Sequence, residues 1–584
     1  MAKKKNDTEK DAKAKDDPKS QGEDGKKDGK KKQDKAIKRG KTFIERFEFQ
    51  EAALKEEAER AKKLKITSVP PYDEEVFDEI DVAVIREPYI YAQTLINKKT
   101  SEYLYNLIEP PLSATQKRLL RFVINEMVSK IDFARDDVET RAENEIRLRG
   151  LTHEVLDSIG KNLGPVSFER LFYYIIAEFI GYGKIEAMML DPELEDVSCD
   201  GNRIPIFVFH RKFKNIRTNI VFNKGTELEK FCIKMAERSG KSISIASPVL
   251  DATLPDGSRL NQTLGTEVTT RGSSFTIRKF KEDPLTVTDL VGWKTLSTEM
   301  AAHLWLAVQY GESMLTSGGT ASGKTTTLNA ISHFIPPSAK IITIEDTREM
   351  NLPHDNWIAG LTREVKGNVE GGAKSIDMFA LLVASLRQRP EYMIIGEVRG
   401  AETMAVFQAM ATGQTCYATI HADSMASIVH RLENPPINIP RILILGLNLV
   451  ILQAQVRVKN QRTRRIKELV EVIGIEPVSA EIITNTVFKW NAGKDEFKYT
   501  GHSKLYEKIM DKENLTADEV LEDVKRRADI IRWMCAKGVR NHVEVASVVN
   551  EYYREPLDIH GRAMKEMDLM NSGKMDMEGE LPPA

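Results

Sequence analysis

The stretch Gly311–Ile331, GESMLTSGGTASGKTTTLNAI, decides the fold. It holds Gly318-x-x-x-x-Gly323-Lys324-Thr325 between an apolar run that reads as a strand and a run that reads as a helix. Phosphate binding needs that order. Glycines let the loop curl so that successive backbone N–H groups face phosphate oxygens, and the helix that follows points its positive N-terminus at them. The loop Gly318, Gly319, Thr320, Ala321, Ser322, Gly323, Lys324, Thr325 and Thr326 is therefore expected to hold a nucleotide. Lys324 would reach the β and γ oxygens and the Thr325 hydroxyl would ligate the metal, so ATP and Mg²⁺ are the expected cofactors.

Outward from the loop, the apolar runs SMLTS, KIITIED, YMIIGEV and CYATIHA alternate with helical stretches, which predicts an α/β core with a largely parallel sheet. In such sheets ligands sit beyond the carboxyl ends of the strands. KIITIED ends in Glu345 and Asp346, YMIIGEV places Glu397 after Gly396, and TCYATIHADS reaches His421, so these side chains are candidates to face the phosphates. The acids can manage Mg²⁺ or the attacking water, and the residues alone leave open which does which. His421 reads either as a structural hydrogen-bonding residue or as a reader of the γ-phosphate.

On the N-terminal side the chain is expected to be a second domain. Residues 1–41 are Lys-rich, contain one strong hydrophobe, Ile37, and are expected to be disordered. Residues 42–164 are expected to be mainly helical: Thr42 with Glu45 and Ser113 with Gln116 have capping-box spacing, although AVIREPYIYAQTLI is strand-like. Residues 165–280 read as an α+β subdomain, with the apolar helix FERLFYYIIAEFIG, the strands IPIFVFH and FTIRKF, and the turn LPDGSR. Residues 281–286, around Pro284, are the expected hinge, and 287–570 the nucleotide-binding domain with its C-terminal helices. There Thr516 with Glu519 and Asn541 with Glu544 start two helices, and Pro556 is expected to stop the second. Residues 571–584 read as a flexible tail.

Length and charge bound the rest. At 584 residues the chain exceeds one compact domain. Its 41% hydrophobic and 29% charged residues are those of a soluble protein, and its longest apolar run, Ile442–Leu452, is interrupted by Gly446 and Asn448. With no apolar segment after the basic start, a cytoplasmic location is expected. The four cysteines are far apart and read as reduced and structural. The net charge of −2 conceals a division: residues 1–40 carry 15 basic and 9 acidic side chains, or +6, which leaves −8 for the remainder. A mildly acidic body argues against nucleic acid as a partner. Contact with anionic lipid would belong to the basic tail or to VRVKNQRTRRIKE, a run that reads as a solvated hairpin.

Four blocks taken in order resemble the type II and type IV secretion ATPase superfamily: the phosphate loop, ITIEDTREMNLPH as its Asp box, RPEYMIIGEVRGAET as its Walker B and TGQTCYATIHADS as its His box. Before the hinge, GYGKIEAMMLDPELEDVSCDGNRIPIFVFHRKF and LPDGSRLNQTLGTEVTTRGSSFTIRKF resemble the family's N-terminal domain. HRLENPPINIPR, TNTVFKW and the stretch ending in VVNEYYREP resemble archaeal members, particularly the archaellum motor ATPase. The resemblance implies a P-loop RecA-like C-terminal core with a separate α+β N-terminal domain, the two-domain protomer of a homo-hexameric ring. It implies that Glu345 is the general base, that Glu397 holds the Mg²⁺ and water network, and that His421 senses the γ-phosphate. Arg259, Arg271 and Arg278, the last two first, would close over the nucleotide. The implied function is an ATP-hydrolysing motor for an archaellum-type filament. It would sit on the inner face of the membrane and work through a polytopic platform protein with accessory cytoplasmic motor proteins. The alternatives are an adhesion pilus or type II secretion assembly ATPase and, further off, a conjugation-type nucleic-acid translocase.

Overall fold

The structure, a computed structural model, describes residues 54–130, 140–281, 283–363, 375–459 and 461–572. The expected tail at 1–41, the part of the expected tail 571–584 from 573 onward, and the Thr42–Glu45 cap lie outside the described residues. The chain divides into two compact units: the described residues up to Asp191 with Ile216–Ile220, and Pro192–Asn215 with the residues from Val221 onward.

In the first unit a helical run at 54–61 precedes an antiparallel meander, Phe77–Arg86, Ile90–Asn97 and Tyr103–Ile108, whose last strand pairs in parallel with the Lys214–Val221 strand. Three helices follow, Ala114–Lys130, Arg141–Ser158 and Pro165–Phe179. Ser113 and Gln116 cap the first reciprocally: the Gln116 N–H donates to Ser113 Oγ at 3.2 Å and the Ser113 N–H to Gln116 Oε1 at 2.9 Å. The boundary expected at 164/165 runs through one core, because Phe168, Leu171 and Phe172 bury against Val123, Met127 and Leu148. The first unit therefore closes at Asp191, and the strands after Phe77 make it mixed rather than mainly helical. Arg149 is buried within it, donates to both Glu169 oxygens and lies 4.4 Å from the Phe172 ring centroid, so its charge is paired and its stem packed.

The second unit begins with antiparallel strands in the order Pro205–His210, Leu194–Cys199, Ser274–Arg278, Arg259–Thr263 and Val249–Thr253. The helix Gly225–Arg238 buries Leu228, Phe231 and Met235, and Phe231 packs on Phe275 with ring centroids 4.9 Å apart. The same unit continues through Lys281 and Asp283–Thr286 into the phosphate-loop core.

That core is a sheet built from β1 (Met314–Ser317), β2 (Ile341–Glu345), β3 (Trp357–Leu361), β4 (Tyr392–Ile395), β5 (Thr415–Ile420), β6 (Leu449–Val458), β7 (Gln461–Ile475), β8 (Ile482–Asn491) and β9 (Glu496–Tyr499). Among the described residues its order is β3-β2-β4-β5-β1-β6-β7-β8-β9. The pairs from β3 to β6 are parallel and those from β6 to β9 antiparallel. Every residue of β1, β2 and β4 is buried, as strands covered on both faces require. Met314 joins the apolar cluster on one face and Leu315 the cluster on the other. On the first face Trp305 stacks on Phe334 at 5.0 Å beneath the C-terminal helices Ala517–Ala536 and His542–Arg554. Pro556 stops the helix His542–Arg554 as expected and also opens a further helix, Pro556–Asn571. Its missing N–H falls where a helix has no partner for it, and Ile559 and Ala563 bury a face of that helix. None of the helices among the described residues is long and apolar enough to cross a membrane.

Candidate functional site

β1 lies between β5 and β6, so the chain leaving Ser317 emerges beside the carboxyl ends of both neighbours. Two positions dictate the loop's glycines. A Cβ on Gly318 would sit 2.2 Å from the Gln453 carbonyl oxygen, and Gly323 holds a left-handed φ of +92°. Ala321 is also left-handed at +59°. The helix Lys324–Ser332 starts directly after, and the Thr327 N–H donates to Gly323 O at 2.9 Å. Lys324 folds back over the loop, donating to Gly319 O at 3.2 Å, with its Nζ 3.4 Å from His421 Nδ1.

The strand-end residues converge there. His421 Nε2 lies 3.2 Å from Glu397 Oε1, while Arg399 Nη2 donates to Glu397 Oε2. Lys324, His421, Glu397 and Arg399 thus form a continuous polar chain beside the loop. The segment carrying Glu397 is fixed to β5: Val398 donates its N–H to Thr419 O at 2.9 Å, and Thr419 Oγ1 donates to Gly396 O at 2.6 Å. Burial works to raise the Glu397 carboxyl, but the hydrogen bond and charge of Arg399, with His421 and Lys324, hold it below the usual carboxylate range. Burial also lowers His421, and the neighbouring Lys324 charge adds to that, against the pull of Glu397. Lys324 is lowered by burial in the same way, opposed by Glu397 and Glu349.

Glu345 ends β2 and behaves differently. It is buried, its Oε1 accepts the N–H groups of Glu349 at 2.9 Å and Met350 at 3.0 Å, and its Oε2 is buried without a hydrogen-bond partner. Burial lifts its carboxyl to about 7; the two N–H bonds and Arg348 oppose the rise, and the Glu349 charge adds to it. A carboxylate titrating near neutrality with one free oxygen is suited to accept a proton from water. Gly396 permits close packing here, since a Cβ on it would lie 3.4 Å from Glu345 Cγ.

Of the three N-terminal arginines, Arg259 is turned to the core segment. It pairs with Asp251 at 2.8 Å, and the charges of Asp346 and Glu349 reach it. Arg278 stands opposite Asp196 and Arg259 on its strands, and Arg271 is exposed, its carbonyl accepting the Asn202 N–H at 3.0 Å. The geometry thus associates Arg259 with the Asp-box segment, and sets Arg271 and Arg278 against partners within the strand module.

Three further residues belong to the site. Arg399, two residues past Glu397, pins that carboxylate. Arg348 lies with its guanidinium 5.3 Å from the rings of both Phe280, just before the expected hinge, and Trp357 on β3. Arg464, within the basic run read as a solvated hairpin, donates from Nε to Ala321 O at 3.1 Å. Its signal was the run itself; only the β6–β7 register shows that the run abuts the loop.

For Mg²⁺, the Thr325 hydroxyl, next in the chain to Lys324, and the Glu397 carboxylate, joined to Lys324 through His421, are hard oxygen donors, and the orphaned Oε2 of Glu345, packed against Gly396, marks a place for water. The residues present fit the ion.

The sequence pattern of the family described as "Type II/IV secretion system protein" matches residues 210–552. An uncharacterized protein of Methanocaldococcus jannaschii is 34% identical over 476 residues, 78% of this chain and 86% of the relative. A probable conjugal transfer protein, TrbB, of Sinorhizobium fredii is 31% identical over 195 residues, 33% of this chain and 57% of its own length. Among solved structures, the VirB11 ATPase of the Brucella suis type IV secretion system aligns with 48% of this chain and 89% of its own at 24% identity, with a TM-score of 0.24. The match across both the strand module and the nucleotide core, together with the chain-length relative, places this chain in the type II/IV secretion system protein family.

Proposed function

We propose that the chain is an ATP-hydrolysing motor. The observation that carries this reading is the phosphate loop with the Lys324–His421–Glu397 chain beside it and, further along the same side of the sheet at the end of β2, a buried Glu345 whose carboxyl is lifted to about 7. In the reaction, water oxygen attacks the γ-phosphorus, the bond to the β–γ bridging oxygen breaks, and Glu345 takes the water's proton, leaving ADP and phosphate. Lys324 and the loop N–H groups hold the phosphate oxygens, and His421, linked to Lys324 and Glu397, registers the γ-phosphate. Thr325 and Glu397 would hold Mg²⁺, which when bound neutralises charge on the β and γ oxygens. Arg259 closes on the phosphates from the strand module as the segment at Lys281–Thr286 flexes, with Arg271 and Arg278 as further candidates.

Within the family, the reading adopted is assembly of an archaellum-type filament by a homo-hexamer at the inner face of the membrane, acting on a polytopic platform protein with accessory motor proteins. Phosphate release by the purified chain tests the enzyme: Lys324→Ala should abolish it, and unchanged release would sink the reading. Deletion in the native host, scoring swimming and surface attachment separately, tests the filament; lost attachment with normal swimming would replace the archaellum by an adhesion pilus. The likeness to a conjugal transfer protein supports one second reading, nucleic-acid transport. Hydrolysis stimulated by single-stranded DNA and not by anionic vesicles would favour it.

A further inference from the structure

The β6–β7 hairpin carries three arginines on one face. In its antiparallel register Arg457 stands directly opposite Arg462, and Gln455 opposite Arg464. Directly opposed residues share a face, as do residues two apart on a strand, so Arg457, Arg462 and Arg464 form one row. All three are exposed, and none is paired with a carboxylate among the described residues. The contrast with their neighbour is sharp: Arg465, on the opposite face, is buried and bound through Nε to Asp495 at 2.8 Å. Like charges placed directly across a ladder repel, so the Arg457–Arg462 pair costs stability unless an anion lies between or beside the guanidinium groups.

The row leads to the phosphate loop. Arg464 Nε donates to Ala321 O, and a Cβ on Gly323 would lie 3.1 Å from Arg464 Cδ. A guanidinium has five N–H donors, and this contact uses one. The four on its terminal nitrogens remain, at the rim of the loop. Arg462 is two residues away, about 7 Å along the strand, within the reach of a polyphosphate.

We propose that Arg464, supported by Arg457 and Arg462, is a phosphate-contacting residue of the nucleotide site, supplied by the β6–β7 hairpin of the same chain. The ligand is the polyphosphate of the nucleotide in the loop, and the inference rests on the reading that residues 318–325 hold a nucleoside triphosphate. Arg464 then does two things: it satisfies the carbonyl of the left-handed Ala321 and extends the loop's N–H cradle with charged donors. Charge-assisted, fork-shaped donors are what phosphate oxygens favour.

The test is equilibrium titration of the full chain with fluorescent ATP and ADP analogues at low and moderate salt. Arg464→Ala should weaken ATP about tenfold, the effect of losing one charge-assisted phosphate contact, and Arg464→Lys should recover part of it. Arg457→Ala with Arg462→Ala, distant from the loop backbone, should weaken ATP a few-fold and flatten the salt dependence; this double variant also stands if Arg464→Ala does not fold. Unchanged affinity in all variants overturns the proposal. So does a loss in Arg464→Ala that lysine does not recover while the double variant is silent, since Arg464 would then only prop Ala321. Reduced sedimentation with phosphatidylglycerol vesicles, at unchanged ATP affinity, overturns it in favour of a lipid-facing row. Lys324→Ala separates the levels: if that variant binds ATP like the parent, the nucleotide reading itself fails, whereas loss there with silent arginine variants refutes the row alone.

Discussion

Glu345 ties stability to chemistry through a single carboxyl. Because it titrates near 7 instead of near 4.5, the folded chain holds its proton over a range where the unfolded chain has lost it. The stability this contributes is present below about 4.5 and is lost as pH rises through about 7, the reverse of a salt-bridged carboxylate. Glu345→Gln keeps an acceptor for the Glu349 and Met350 N–H groups but cannot ionise. At pH 8 it should therefore stabilise the nucleotide-free chain, by about 3 kcal/mol for the whole shift, while abolishing phosphate release. Denaturant titration at pH 5 and pH 8 checks this, and an equal effect at both would refute it. The same ionisation sets activity: kcat/KM, which reports the free enzyme, should fall on the acid side with a midpoint near 7. An acid limb centred near 4.5 would remove Glu345 as the base.

Elements show which parts of this molecule were legible in its sequence. Strands β1, β2, β4 and β5 announce themselves because a strand buried on both faces must be continuously apolar, and the acids and His421 follow from where such strands end. Thr516 with Glu519 caps the helix Ala517–Ala536 reciprocally for an equally local reason. Thr516→Ala should cost about 1 kcal/mol, measured as a lower denaturation midpoint with unchanged nucleotide affinity. What the sequence hid depends on pairing between distant segments. Arg464 meets Ala321 only because β6 and β7 carry it to the loop, and Arg348 meets Phe280 only because a residue before the hinge packs against the core. The grouping of the helix Pro165–Phe179 with the helices before it was hidden likewise, since apolar periodicity says that a face is buried but not against what. Pro556 stops the helix His542–Arg554 as expected, but that it also opens Pro556–Asn571 was hidden, since proline ends one helix and begins another equally well and only Ile559 and Ala563 packing beneath it reveal the second.

For the whole molecule, the question is what hydrolysis moves. The second unit holds both the strand module, with Arg259, and the core segment, with Asp346 and Glu349, so the proposed turnover and hinge motion would act inside one compact body. In the proposed mechanism a single protomer flexes at residues 281–286, but on its own it has nothing to push against. A ring supplies that, because each protomer's displacement is then transmitted to its neighbours. The charge division suggests how such a ring would be held near a membrane: the +6 segment of residues 1–40 is attracted to anionic headgroups, while the −8 remainder is repelled unless a local basic surface faces the lipid. The expected result is a hexamer in mass measurements with a non-hydrolysed ATP analogue, and dissociation when Lys324→Ala prevents nucleotide binding. Removing residues 1–41 should leave the hexamer and its phosphate release intact but reduce sedimentation with anionic vesicles, more so at low salt. A monomer persisting at saturating analogue would count against the motor. Vesicle binding unaffected by the truncation would move the membrane contact to the folded body, where the exposed arginine row on β6 and β7 would be the first surface to test.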